Sequence, residues 1–529
     1  DHAWHRPIAE RVTTLCRRVM AWVRLRKVPD HEKKVAFILN SSPCASVEAN
    51  VGAAAHLDSL ESVVRILRNF RDRGYQVEVP ESGDALAQEI LGRRAINEFR
   101  WTTVEDIVRR GGALGFVDGP TYQRWFDELD PGLQEKMVSS WGAPPGEELD
   151  NVPPAMVHGE SIVVSGISLG NAVICTQPKR GCAGSRCDGQ VCRILHDPFL
   201  PPPHHYLAAY RYLERVFGAD VIVHVGTHGT LEFLPGKSAA LSGACIPDAI
   251  IGSLPFLYLY NSDNPSEGTI AKRRGSAVIV DHMQTVMAPT GTYGALRELE
   301  DRISEYRKFR DSDRAKAHAL EHEIIDLVRQ ANLEQDVGLA GAGMDFDRIL
   351  DGIHRILSGI TQTRIPEGMH IFGSVPERER QARFIATTLN HDGRVHSLLS
   401  GLMGLDEKIA DSEIALLRVL DCFGEELVGT ILSGTDPVDA AGQVLGDRLV
   451  HKDTDGLELF AGLVRDLAGR MDSSDEIGSL ANGMAGGYIP PGPSGLISRG
   501  KTEILPTGRN LYSLDPRAVP TPAAWTVGR

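Results

Sequence analysis

Three runs of consecutive aliphatic residues constrain the fold of this chain more than any other feature. They are KVAFIL at 34–39, DVIVHV at 220–225 and SAVIVDHM at 276–283. Each is too short for a helix. Their apolar residues are consecutive rather than alternate, as in strands buried on both faces. Such strands belong to sheets covered by helices, and helical sequence lies between them. Asp58–Arg73 carries Asp58 and Glu61 at capping-box spacing, an apolar stripe of Leu60, Val63, Val64, Leu67 and Phe70, and Gly74 as a stop. YQVEV at 75–79 reads as the next strand. The Pro-rich PFLPPPHH opens a second unit, in which a helix from about His205 to Phe217 precedes DVIVHV. Strand, loop, helix and strand in that order predict parallel α/β layers.

Downstream the pattern changes. Charged sequence with a 3.6-residue period (LRELEDRISEYRKFRD, LEHEIIDLVRQ) predicts long amphipathic helices from about 295 to 335, continuing through 346–360 and 375–472. After about 480 the chain is too rich in Gly and Pro for a helix, yet it holds Tyr488, Tyr512 and Trp525, so an ordered, packed loop segment is expected. No internal repeat of solenoid period is present. The expected fold class is α/β and multi-domain: parallel-sheet α/β units, a long helical insertion and a Gly/Pro-rich C-terminal segment. The expected regions are 1–130 (N-terminal α/β), 131–294 (central α/β), 295–475 (mainly helical) and 476–529 (Gly/Pro-rich and packed).

Composition bounds the function. At 42% hydrophobic and 24% charged, the 529 residues are ordinary for a globular protein. A net charge of −14 with no long basic run argues against a nucleic-acid partner. No stretch reaches the roughly 18 apolar residues that a membrane span needs. The charged opening DHAWHRPIAERVTTLCRRVM predicts no export signal, and eight cysteines in this length are no disulfide scaffold. The expected location is therefore the cytoplasm.

The stretch HVGTHGTLEFLPGKS at 224–238 ends like a phosphate loop and also offers His224, His228 and Glu232 at spacings of four. The phosphate reading fails, because a P-loop needs a glycine where Leu231 stands and Gly229 is two residues early. ATP used in any reaction of this protein is then hydrolysed by another subunit. The metal reading fits better, because ligand sites gather beyond the carboxyl ends of strands. Gly226 and Gly229 argue against one continuous helix carrying all three residues. A core histidine at His224 and a surface carboxylate at Glu232 remain an open alternative. NPSEGTIAKRRG at 264–275 sets Glu267 beside a turn, followed by Lys272, Arg273 and Arg274, which also reads as a solvated basic turn. IPEGMHIFG places His370 in an apolar setting, where a core histidine is the simpler reading.

Taken together, HVGTHGTLEFLPGK, SEGTIAKRRGSAVIVDH, HDPFLPPPHHYLAAYRYL, GMHIFG and LPTGRNLYSLDPRAVPTPAAW resemble the large subunits of the ATP-dependent tetrapyrrole metal chelatases. These are the cobaltochelatase large subunit CobN and the magnesium chelatase H subunit. ANVGAAAHLDSLESVVRILRNFRDRGYQVEVP fits the same pattern, so the resemblance runs in order from about residue 35 to the end. The family's subunits are longer, which implies that this chain corresponds to one contiguous part holding the central motifs. TPAAW and LPTGRN lean towards CobN.

The resemblance implies insertion of Co2+ into hydrogenobyrinic acid a,c-diamide in cobalamin biosynthesis, with AAA+ ATPase partner subunits hydrolysing ATP. The alternatives are Mg2+ insertion into protoporphyrin IX, or a tetrapyrrole carrier or sensor that inserts nothing. Insertion needs a proton acceptor for the ring N–H groups and ligands that replace water on the ion. The resemblance places Glu232 and Glu267 in family motifs, as the leading acidic residues. His228 is a catalytic and metal candidate, His370 a metal candidate and His224 a weaker one. Lys272, Arg273, Arg274, Arg509 and Asn510 are candidates for the macrocycle's acidic side groups. Cys175, Cys182, Cys187 and Cys192 match neither a zinc pair nor a ferredoxin spacing; reduced thiols or an iron–sulfur cluster both fit.

Overall fold

The computed structural model describes residues 6–40, 51–97, 103–148, 154–181, 194, 197–289, 294–337, 339, 346–362, 364–405, 414–513 and 526. Strands are numbered along the chain. Six form the central sheet: β1 (Val35–Leu39), β5 (Ile167–Leu169), β6 (Ala172–Thr176), β7 (Val221–Val225), β8 (Phe256–Asn261) and β9 (Val278–His282). Their order is β5-β6-β1-β7-β8-β9. All neighbours are parallel except the antiparallel edge pair β5–β6. The three aliphatic runs are thus β1, β7 and β9. β2 (Ala113–Asp118), β3 (Val157–His158) and β4 (Ser161–Ser165) form a separate antiparallel sheet.

Alternation along the central strands builds two cores. One face sends Ala36, Ile38, Ile222, Tyr258, Tyr260 and Ile279 towards the helices His204–Tyr212 and Pro265–Gly275. The other sends Val35, Phe37, Val223, Leu257 and Val280 towards the helices Ser59–Asp72 and Glu476–Met484. Successive residues of a strand face opposite sides, so a strand covered twice is apolar at nearly every position, and a polar residue there needs an internal partner. β1 lies between β6 and β7, so residues on both sides of position 130 share this sheet.

Asp58 caps its helix through the Glu61 N–H. The Glu61 carboxylate turns away from the box and accepts instead from the Gly83 N–H at 2.6 Å. YQVEV is not a strand: it makes one isolated bridge, Val77 to Gly170, because it crosses the antiparallel edge of the sheet without pairing along it. The helix expected at 205–217 ends as a π-turn over Leu213–Phe217.

The helices Ala295–Phe309, Arg314–Gln330 and Phe346–Gln362 enclose one further core, and the helices between Arg378 and Asp472 enclose another. β10 (Met287–Pro289) pairs with β11 (Arg364–Pro366). In the C-terminal stretch β12 (Pro491–Pro493) pairs in parallel with β13 (Asn510–Tyr512), and Leu511 is fully buried. Tyr488 is largely exposed, and Trp525 lies outside the described residues.

Candidate functional site

β1 has β6 on one side and β7 on the other. The edge formed by the carboxyl ends of these strands is where open α/β sheets place ligands. The glycine-rich motif crosses this edge directly after β7. Its backbone is held by neighbouring side chains, and its own Thr227 side chain ties it to β8, which satisfies polar groups that a buried loop would otherwise strand. The Asn40 amide donates to the Gly226 carbonyl at 2.5 Å. The Asn261 N–H donates to Thr227 Oγ1 at 3.0 Å, and the Thr230 N–H to Gln177 Oε1 at 2.8 Å. The Gly229 N–H donates to the Tyr258 hydroxyl at 2.8 Å. Gly226 has φ of 93°, and a Cβ there would overlap Ala54.

This frame buries Glu232 completely, on a short 3-10 turn over Leu231–Phe233. The Tyr258 hydroxyl donates to Glu232 Oε1 at 3.2 Å, and Oε2 has no partner among the described residues. Burial pushes the Glu232 carboxyl up to about 7 and the Glu267 charge adds to the rise, while the Tyr258 bond and the His228 charge oppose it. A carboxyl that titrates near neutrality and retains an unused oxygen is suited to accepting a proton.

His228 and Glu267 form the exposed half of the same site. His228 sits in the left-handed region, with φ of 78°. Its Nδ1 lies 2.7 Å from Glu267 Oε2, and the Tyr260 hydroxyl donates to the same oxygen at 3.3 Å. The His228 bond holds the Glu267 carboxyl below its usual range against the effect of burial, and the same bond raises His228. The Tyr258 and Tyr260 rings meet edge to face at 4.9 Å and link the two carboxylates. The structure therefore brings Glu232, His228 and Glu267 together.

The other candidates form no hydrogen bond or ion pair with these three among the described residues. His224 points into the core beneath the motif. It has no exposed surface, its Nε2 pairs with the Tyr210 hydroxyl at 3.0 Å, and it packs edge-on against Phe256 and Tyr258. Burial lowers it to about 3, so it is neutral in the folded protein. His370 bonds Glu476 at 2.8 Å in a second buried polar cluster and stacks on His282 at 5.4 Å. Lys272 donates to the Leu511 carbonyl at 2.9 Å and Arg274 to the Leu234 carbonyl at 2.5 Å. The Arg509 guanidinium caps Glu503 and Ile504 carbonyls, and Asn510 Oδ1 accepts from the Ile279 N–H. Arg273 is exposed. Cys175 is buried, with its thiol pushed up to about 12 by burial; Cys182, Cys187 and Cys192 lie outside the described residues. Among the described residues no group of three or more His, Cys, Asp or Glu side chains could hold a metal ion, so His224, His228, Glu232 and His370 do not form one centre.

Four residues of these clusters escape sequence reasoning. Tyr258 and Tyr260 had a signal in the alternating FLYLYN of β8, where both hydroxyls fall on one face beside the motif. Asp281 and Glu476 had none. Asp281 is buried and accepts from the Gly508 and Arg509 N–H groups, with its carboxyl pushed up to about 7 by burial.

Gly229 gives a direct test of the frame. A Cβ there would overlap the Tyr258 hydroxyl and stand 3.2 Å from Glu232 Oε2. Gly229→Ala is expected to displace Tyr258 and cost about 1–3 kcal/mol, the usual penalty of overpacking. Urea titration of the two proteins measures this.

The CobN/Magnesium Chelatase family model matches residues 1–529. An uncharacterised protein of Methanocaldococcus jannaschii is 42% identical over 98% of this chain and 42% of its own length. The aerobic cobaltochelatase subunit CobN of a Sinorhizobium species is 30% identical over 99% of this chain and 42% of its own. The rice chloroplast magnesium-chelatase subunit ChlH is 28% identical over 99% and 38%. The solved catalytic subunit of cobaltochelatase from Mycobacterium tuberculosis superposes with a TM-score of 0.79 at 31% identity, covering 99% of this chain and 43% of that one. The chain thus spans about two fifths of the length of these relatives. The full-length match, over a sheet that carries the glycine-rich motif at its carboxyl edge, settles the family: this chain belongs to the CobN/magnesium chelatase family.

Proposed function

We propose that the chain is the tetrapyrrole-binding, metal-inserting part of a cobaltochelatase, placing Co2+ into hydrogenobyrinic acid a,c-diamide. AAA+ ATPase partners supply the energy of ATP hydrolysis. The observation that carries this reading is the pairing of a buried carboxyl poised near 7, Glu232, with the exposed His228–Glu267 pair at one sheet edge. Insertion forms four nitrogen–metal bonds, displaces the waters of the ion and releases the inner N–H protons of the ring, with no change in the metal's oxidation state. Glu232, as carboxylate, takes a proton from the inner ring. His228 and Glu267 meet the ion from the solvent side and replace its waters. Arg273, exposed in the last turn of its helix, pairs with a side-chain carboxylate of the ring.

An imidazole in this position favours Co2+ over Mg2+, which prefers oxygen ligands and sheds water reluctantly. The CobN relatives and the solved cobaltochelatase subunit point the same way, at 30% and 31% identity against 28% for rice ChlH. Titration of the purified chain with hydrogenobyrinic acid a,c-diamide and with protoporphyrin IX, followed by absorbance, tests the reading. Binding of the corrin precursor is expected; a response to protoporphyrin alone assigns the chain to magnesium chelation instead.

A further inference from the structure

Two tyrosines on one face of β8 meet the two carboxylates of the site separately. Tyr260 donates to Glu267 at 3.3 Å and Tyr258 to Glu232 Oε1 at 3.2 Å. A hydroxyl carries one proton, and its direction is open unless a neighbour fixes it. At Tyr258 a neighbour does so. The Gly229 N–H donates to the same hydroxyl oxygen at 2.8 Å. A backbone N–H can only donate, so the hydroxyl accepts there and turns its own proton to Glu232. The backbone of the glycine-rich motif thus sets the polarity of the whole run from Gly229 through Tyr258 to Glu232. Packing holds the fully buried ring in place, edge-on to His224 at 5.1 Å and to Tyr260 at 4.9 Å. The two oxygens of Glu232 therefore differ. Oε1 holds a bond that a carboxylate accepts more strongly than a carboxylic acid does. Oε2 has no partner among the described residues, and a Cβ at 229 would stand 3.2 Å from it, so glycine there leaves its side open.

We infer that Tyr258 is the positioning residue of the proton transfer: locked by the Gly229 N–H, its hydroxyl holds Oε1 of Glu232 and leaves Oε2 as the atom that takes the proton from the ring. The ring's part in this rests on the reading of the chain as a chelatase subunit; the difference between the two oxygens does not. In the step a ring N–H bond breaks, its electron pair stays on nitrogen for the metal, and the proton forms an O–H bond at Oε2. The Tyr258 bond at Oε1 persists, so the carboxyl accepts the proton without turning. Burial is the largest influence on this carboxyl and raises it. Its own backbone N–H, the Tyr258 hydroxyl and the His228 charge favour the ionised form, and the Glu267 charge opposes it. Arg274 and the hydroxyls of Tyr206, Tyr210 and Tyr260 also feel the Glu232 charge. Burial pushes those three hydroxyls up, so they stay neutral. Removing the Tyr258 bond takes away support for the ionised form, and the carboxyl rises further.

The test is an infrared pH titration of the full chain, without ring, metal or ATPase. The protonated-carboxyl band of Glu232 is read as the difference between each protein and the same protein carrying Glu232→Gln. The wild-type midpoint is expected at about 7. In Tyr258→Phe it is expected to rise by about one pH unit, a tenfold gain in proton affinity, the scale of one hydrogen bond to a charged group. A ring-fluorinated tyrosine in place of Tyr258 keeps the ring and both bonds and is the stronger donor, so the midpoint is expected to fall. That protein decides the question if Tyr258→Phe, which strands the Gly229 N–H, does not fold. Tyr260→Phe loses a bond to Glu267 instead and is expected to move the midpoint by less than half as much as Tyr258→Phe. A purely structural Tyr258 lowers stability on replacement but does not shift the midpoint in opposite directions. An unmoved midpoint in the Tyr258 proteins, shifts of the same sign, or an equal shift in Tyr260→Phe each overturns the assignment. A chain that gives the expected shifts but binds no tetrapyrrole keeps the Tyr258 lock and removes the chelatase reading. A chain that binds the ring with an unmoved midpoint removes the lock and leaves that reading standing.

Discussion

Glu232→Gln is expected to lower the rate of metal insertion by about 10²–10⁴-fold while leaving tetrapyrrole binding intact, the range typical for loss of a positioned proton acceptor. Gln is isosteric and still accepts from the Tyr258 hydroxyl, but it cannot take a proton. The pH profile adds a signature that a structural role lacks. The base must be ionised, and burial pushes its carboxyl up to about 7. The wild-type rate should therefore climb through about pH 7 and level off above it, and the variant should lose that limb. The same shift has a cost in stability. Folding raises this carboxyl from 4.5 to about 7, so its contribution to stability is fully present below 4.5. That contribution is lost as pH rises through about 7, where the fold must hold a buried charge. Gln has no charge to bury. The variant is accordingly expected to melt above the wild type at pH 8, with the difference closing towards pH 5. An insertion assay with the proposed ATPase partners, paired with thermal melts at both pH values, checks both halves. A variant that inserts metal at the wild-type rate while binding the ring removes Glu232 from the chemistry.

The strands that carry this site were legible because a doubly covered strand must be apolar at nearly every position. KVAFIL meets this condition across β1, and DVIVHV meets it across β7 except at His224, whose buried ring is paired with the Tyr210 hydroxyl; both strands sit in the middle of the sheet. YQVEV has good strand propensity, but propensity says nothing about whether a partner lies alongside, and there only Val77 finds one. The same gap separates the candidate residues. Gly226 and Gly229 in sequence announce a backbone that something presses against, but not that the neighbours are Ala54 and the Tyr258 hydroxyl. Glu232 reads on paper as a surface carboxylate; Tyr258, contributed by the next strand, makes its burial possible. The basic residues fail in the opposite direction. A Lys or Arg beside a turn reads as a ligand for an anion, whereas Lys272 and Arg274 end on backbone carbonyls of remote segments and Arg509 on carbonyls of the short turn just before it. Partners distant in sequence decide burial and pairing, and one sequence does not reveal them.

Glu476 is the strongest such case, and its replacement should have the largest effect on stability. Its carboxylate is fully buried and gathers four donors from three other segments of the chain. The Met283 N–H donates to Oε1 at 2.8 Å and Thr507 Oγ1 to the same oxygen at 2.8 Å. The Gly373 N–H donates to Oε2 at 2.6 Å, and His370 Nε2 lies 2.8 Å from it. Burial alone would raise this carboxyl. The charge and bond of His370, the charge of His282 and the Gly373 N–H together outweigh burial and pull it down to about 2. Glu476→Ala strands all four donors at once and is expected to cost about 3–5 kcal/mol, the scale for breaking a buried pair from one side. Because the folded value lies below the unfolded 4.5, the carboxylate's contribution is complete above about pH 4.5 and disappears as pH falls through about 2. The variant should lose that stretch of acid dependence as well as the stability itself. The loss should also be local before it is global. Amide exchange is expected to accelerate first at 283–285, 370–374 and 505–509, where the end of β9, the GMHIFG loop and the C-terminal stretch meet on this carboxylate. If Glu476→Ala melts with the wild type and exchange in those three segments is unchanged, the cluster does not hold the C-terminal stretch to the sheet. The Asp281 bonds to Gly508 and Arg509 would then be what fixes it there.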